Sequence, residues 1–183
     1  MHDIRQLSNL IWKANINFIE VLFSKEVKRY YGLDFLFENR EKWAAMNLYG
    51  FKNATYGMHL HKMSDLHKGT AKTKPLVEKY GYDTKEACHA LRCLYVLEKY
   101  ADTNSMEKTL WFNEGKRRDT LLQVKAGHFT ENEFRGIVDH WITHVWGELE
   151  KAYNDTRPDM IAKEELDNSM LHYVKDRILE EEK

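Results

Sequence analysis

Cysteine and proline are scarce in this chain, and long apolar runs are absent. Two cysteines in 183 residues cannot build a disulfide scaffold. Cys88 and Cys93 stand five apart on what reads as one helix, where their side chains diverge. Reduced thiols and a cytoplasmic location are the expectation. Pro75 and Pro158 are the only prolines, and no Gly/Ser-rich linker, repeat or low-complexity run divides the chain. A single domain over 1–183 is therefore expected. No stretch reads as a signal peptide or as a bilayer span, so no membrane association is expected. An excess of charge is lacking too: 28 Lys and Arg face 29 Asp and Glu, which gives no global field to attract nucleic acid. Any anion site must be local.

What the chain does have is material for a core, at 43% hydrophobic residues, and helical periodicity over most of its length. Ile4, Leu7, Leu10 and Ile11 recur at helical spacing from Asp3 to Ala14. Phe18-Ile19-Glu20-Val21-Leu22-Phe23 is short, rich in β-formers and apolar on both faces, and reads as a buried strand. From Asn39 to about Lys68 the pattern predicts one long helix, or two broken near a glycine. Helices follow over Thr84 to Tyr100 and Thr130 to Asn154, and a last one from about Lys163 to Glu181, after Arg157-Pro158-Asp159. The segment Met106 to Val124 is ambiguous. The expected fold is mainly α: a helical bundle with one N-terminal strand, 1–38 forming one part and 39–183 the helical region.

The segment Glu78 to Arg92 is the most informative. Asp83 is a good N-cap and Glu86 completes a capping-box pattern, which starts the helix at Thr84. At 100° per residue, Ala87, Ala90, Leu91, Leu94 and Leu97 share one side, and Lys85, His89 and Arg92 form a stripe opposite. Two readings fit that stripe. It is either a solvated basic face or an anion site, in which helix N–H groups, a lysine and a bidentate arginine meet a phosphate. Tyr80 and Tyr82 flank Gly81, and each ring either stacks on a base or wedges the turn against the core.

The run Lys79-Tyr80-Gly81-Tyr82-Asp83, followed by Lys85, His89 and Arg92, resembles the signature of predicted nucleotidyltransferases of the DNA polymerase beta superfamily, of bacterial and phage type. Asp3-Ile4-Arg5 leading through Asn15-Ile16-Asn17 to Phe23 is similar to the family's turn and carboxylate-bearing strand, with Ile16 where the family has proline. The resemblance implies nucleotide binding by Lys79, Tyr80, Tyr82, Asp83, Lys85, His89 and Arg92, and makes the strand a remnant of an α/β palm. It also makes Glu20 the counterpart of the third metal-binding carboxylate. The family's Gly-Ser turn and Asp-x-Asp pair are missing, and one carboxylate cannot assemble a two-metal clamp for phosphoryl transfer.

Three functions follow as expectations. The first is a truncated, non-catalytic protein that binds a nucleotide or a nucleotide-derived signal. The second is a subunit of a split nucleotidyltransferase, with Mg²⁺ as cofactor, Glu20 catalytic, and the strand completing a partner's sheet. The third is a protein-interaction module without a small ligand. Aromatic and Met-rich composition adds homo-oligomerisation, with the strand as a pairing edge.

Other constellations are weaker. Lys116-Arg117-Arg118 is the densest basic cluster, and is either an exposed loop or a phosphate clamp. His140, His144 and Glu148 share a helical face at i, i+4 spacing, but the apolar Ile137, Trp141 and Val145 beside them favour packing over a metal. His59, His61 and His67 match no single helical face. No metal site is expected.

Overall fold

The computed structural model describes residues 4–25 and 32–181, and every described element is helical. A 3₁₀ turn, Ile4–Gln6, leads into α1 (Leu7–Trp12), α2 (Ile16–Leu22), α3 (Asp34–Glu38), α4 (Arg40–Ala45) and α5 (Leu48–Ser64). There follow α6 (Lys74–Tyr80), α7 (Thr84–Thr103), α8 (Met106–Leu110), α9 (Lys116–Lys125) and α10 (Glu131–Trp141). A π-helical turn, Ile142–Trp146, then joins α10 to α11 (Gly147–Asn154), and α12 (Met160–Glu181) ends the chain. The residues cluster into two compact units, Met1–Ala54 with Asp155–Lys183, and Thr55–Asn154.

The expected strand is a helix. Asn15 caps α2 by accepting the Asn17 N–H at 3.0 Å, and Ile16, Ile19 and Leu22 recur at i, i+3 on its buried face. A short segment with apolar residues on both faces does not distinguish strand from helix by itself, and packing of the 16/19/22 face overrides the β preference of Ile and Val. Val21, which a buried strand would hide, is 59% exposed. Glu20 lies partly buried on this helix. No strand exists among the described residues, so the palm remnant is not seen. The sheet-completing role in a split enzyme and the strand-edge route to a homo-oligomer lose their basis with it. Asp3, named with the opening helix, lies outside the described residues.

In the first unit, α1, α2, α4 and α12 enclose Ile11, Ile19, Trp43 and Leu166, all nearly inaccessible to solvent. Ala162, Leu166 and Met170 face inward from α12 at every fourth position. Polar groups fix the elements: the Trp43 indole N–H donates to the Phe35 carbonyl at 3.1 Å, and Asn47 Nδ2 donates to the Trp12 carbonyl at 2.9 Å. Lys42 pairs with Glu165. The expected break in the long helix falls between α4 and α5, where Asn47 Oδ1 accepts the Gly50 N–H at 2.9 Å. The break thus lies near a glycine, and Asn47 restarts the helix by capping the Gly50 N–H.

In the second unit α7 is the central element. The predicted face of Ala87, Ala90, Leu91, Leu94 and Leu97 is buried, and Cys93, Val96 and Tyr100 bury a further side. Leu121 and Val124 of α9, and Phe134, Val138 and Trp141 of α10, belong to the same core. Each fully buried leucine on α7 contributes about 1.5–3 kcal/mol relative to exposure. The start of α10 is fixed by a complete capping box, in which Thr130 Oγ1 accepts the Glu133 N–H and the Glu133 carboxylate accepts the Thr130 N–H at 2.8 Å. The ambiguous stretch resolves into α8 and α9. Cys88 and Cys93 form no disulfide. No helix among the described residues is long and apolar enough to cross a membrane.

Candidate functional site

The start of α7 follows the sequence expectation. Asp83 Oδ1 accepts the N–H groups of Lys85 at 3.0 Å and Glu86 at 3.1 Å. That cap has a chemical consequence. The N–H groups that an anion would meet at the helix start are already used by Asp83. The reciprocal half of the expected capping box gives way to other partners, because the Asp83 N–H donates to the Leu66 carbonyl at 2.7 Å and Glu86 pairs with Lys62 at 2.6 Å.

The named residues around this start have different surroundings. Lys85 and His89 are exposed. Arg92 Nη2 donates to the Leu110 carbonyl at 3.1 Å, at the end of α8. Tyr82 is fully buried: its ring stacks on Phe134 with centroids 5.9 Å apart, and its hydroxyl donates to the Phe129 carbonyl at 2.9 Å. The core accounts for Tyr82. Tyr80 lies on Gly127, where a Cβ would fall 2.3 Å from the ring and φ is +74°, so a side chain is excluded twice over. The Lys79 ammonium sits 4.8 Å from the Tyr80 ring centroid on the outer side of α6. His89 is held below its ordinary pKa by desolvation, and the charges of Lys62, Arg92 and Lys85 push the same way against Glu86. The stripe is thus a basic face on the outer side of α7.

A concave site forms elsewhere on the same helix. One turn beyond Arg92, α7 carries Tyr95, Glu98 and Lys99 along one wall of a cleft of about 510 Å³. The first residues of α9, Lys116 and Arg117, supply the second wall, and His140 and Trp141 of α10 the third. Its centre is Glu98. The carboxylate accepts the Trp141 indole N–H at 3.1 Å, Arg117 Nε at 3.2 Å and Arg117 Nη2 at 2.7 Å, while Arg117 Nη2 also reaches Asp102 at 2.9 Å. Hydrogen bonds to Glu98, and then to Asp102, strengthen the hold of Arg117 on its proton. Lys99 donates to the Trp111 carbonyl at 2.5 Å and lies 4.7 Å from the Phe112 ring centroid. Partial burial, and then the charge of Arg117, lower its pKa from the ordinary lysine value.

The cleft therefore presents aromatic surfaces beside fixed cations, the pairing that holds a ring and an anionic group together. Lys116 and Arg117 are part of it, and the expected exposed loop is the first turn of a helix. That helix starts at Gly115, so no side chain caps its first N–H groups. Arg118 lies 3.7 Å from Asp119 and does not line the cleft. Sequence reasoning missed Tyr95, Glu98, Lys99 and the cleft-side role of Trp141. Only the helical spacing of Tyr95, Glu98 and Lys99 gave a local signal, since Arg117 and Trp141 join Glu98 from 19 and 43 residues away.

The π-helical turn after Trp141 widens the helix locally by shifting its hydrogen bonds to i→i+5, and such turns recur at functional sites. His140 and His144 flank its start with ring centroids 4.5 Å apart. Trp146 at its end stacks on Tyr56 at 4.0 Å. Among the described residues no group of three or more His, Cys, Asp or Glu side chains is placed to hold a metal ion. The other histidines are separated: His59 is buried against the Ala90 carbonyl at 3.0 Å, His61 pairs with Asp65 and His67 with Glu131. Comparison of the chain with protein-family models, curated proteins and solved structures finds no match.

Proposed function

We propose that this chain binds a nucleotide or nucleotide-derived phosphorylated ligand, without turning it over, in the cleft between α7, α9 and α10. One observation carries the reading: the Glu98 carboxylate locks the Trp141 indole and the Arg117 guanidinium at a cleft that Lys99 and Lys116 also line. Such pre-positioned groups lose little freedom on meeting a ligand, which is where affinity comes from. A lysine makes a charge-assisted bond to phosphate worth about 1.5–3 kcal/mol. The proposed relation to nucleotidyltransferases rests on Lys79 to Asp83 with Lys85, His89 and Arg92. The relation is proposed for ligand binding alone, since the matched residues hold one carboxylate, Asp83, and that carboxylate caps α7.

A second site for the same ligand class has an observation in its favour: Lys85 and His89 are exposed on the outer face of α7, one turn from Arg92. The cleft is preferred because it is concave, and because its N-terminal helical turn is not occupied by a side-chain cap. Calorimetric titration of the protein with ATP and ADP tests both. Loss of binding in Lys116→Ala with Lys85→Ala unaffected supports the cleft, and the opposite pattern moves the ligand to the stripe. A protein that titrates neither nucleotide, and releases no small molecule on denaturation, ends the proposal.

A further inference from the structure

The cleft continues into a second lobe of about 520 Å³ that shares Tyr95, Lys116, Thr120, His140 and Trp141 with the first. The two lobes differ in chemistry. The first places Lys99, Lys116 and Arg117 against two carboxylates, Glu98 and Glu114, and Glu98 is already held by Arg117 and Trp141. The second adds Phe129, Ile137 and Gly136, with Glu133 as its only added charge. That carboxylate is engaged by the Thr130 N–H and hydroxyl, and these hydrogen bonds hold its pKa below the usual value. The first lobe carries the larger set of cations, and the second adds apolar surface.

Gly136 is the second indication. It lies in the middle of α10, where alanine is the better helix former, and a Cβ at this position would meet no atom within 4 Å. Nothing in the surrounding protein requires the missing methyl group. On the side of the cleft, its absence exposes bare backbone between two turns of helix, a flat surface that a planar ring can approach closely.

We infer that the two lobes take one bipartite ligand, a planar heteroaromatic ring lying across Gly136 in the apolar lobe and its phosphate groups among Lys99, Lys116 and Arg117 in the other. This inference rests on the cleft being the nucleotide site, and adds the direction in which the ligand lies and the residue that admits its ring. Gly136 is then a specificity-determining position for the ring and indifferent to the phosphates.

The test compares the four common ribonucleoside diphosphates with inorganic pyrophosphate, by calorimetry, on wild type, Gly136→Ala and Gly136→Leu, with Tm measured for each. At least one diphosphate is expected to bind wild type tenfold or more tighter than pyrophosphate. Gly136→Ala is expected to raise Tm while weakening that nucleotide severalfold, and Gly136→Leu to bring it down to the level of pyrophosphate, whose own affinity is unchanged. The alanine variant keeps the test decisive should the leucine variant fold poorly. If no diphosphate binds tighter than pyrophosphate, or if Gly136→Ala leaves nucleotide affinity untouched, the inference is overturned while an anion site in the cleft stands. Loss of pyrophosphate together with nucleotide in a folded Gly136 variant also overturns it. If wild type binds neither probe, the cleft reading falls with it.

Discussion

Two basic clusters border α7, and they have similar composition with different physical standing. Lys85, His89 and Arg92 lie on the outer face of the helix, where Asp83 occupies the terminal N–H groups and Arg92 is bonded to the Leu110 carbonyl. Lys99, Lys116 and Arg117 stand around a cleft, and Arg117 is fixed by Glu98 and Asp102. Periodicity can align charges on a helix. A binding site also needs walls that exclude water from more than one side, and those come from separate elements.

The sharpest contrast concerns the tyrosines. Tyr82 belongs to the core and Tyr95 to the cleft, so Tyr82→Ala is expected to destabilise the fold by about 3–5 kcal/mol, as truncating a buried aromatic does. Denaturant titration measures this, and a variant with normal stability but lost ligand binding would return Tyr82 to the site. The next effect is on affinity. Lys116→Ala is expected to weaken ADP at least tenfold, about 1.4 kcal/mol, with Lys85→Ala within twofold. Equal losses in both variants would erase the distinction between cleft and stripe.

A pH experiment probes the helix that both clusters share. His59 is buried against the Ala90 carbonyl, and burial lowers its pKa below the ordinary value near 6.5. With the folded-state pKa depressed, the unfolded chain binds the proton first as pH falls. Stability contributed by neutral His59 is therefore present above about pH 6.5 and is lost below it, with a slope of at most about 1.4 kcal/mol per pH unit from this one group. Unfolding free energies measured from pH 7.5 to 5 should fall in wild type and flatten in His59→Gln. An equal slope in that variant would assign the titration to other groups. The smallest expected change is Asp83→Ala, which removes the α7 cap at about 1 kcal/mol. A loss well above that in thermal unfolding would mean that Asp83 supports more than the helix start.

Several features were readable because they depend on near neighbours. The Asp83 cap, the helix beginning near Thr130, the inward face of α7 and the helix following Pro158 all rest on residues within a few positions of each other. Segment 18–23 was misread because its five apolar residues around Glu20 fit both periods. Only the burial of Ile16, Ile19 and Leu22 against the first unit's core chose between them. Tyr82 offered no local clue either, since its hydroxyl acceptor, Phe129, lies 47 residues away.

The sequence by itself determined that this chain is helical, where its well-capped helices begin and which side of α7 turns inward, because backbone hydrogen bonds and side-chain periodicity act over one or two turns. The tertiary structure alone decided which cations share a concave surface. Glu98, Arg117 and Trp141 become neighbours only when α7, α9 and α10 pack, and burial of that packed core, not local spacing, brings them together.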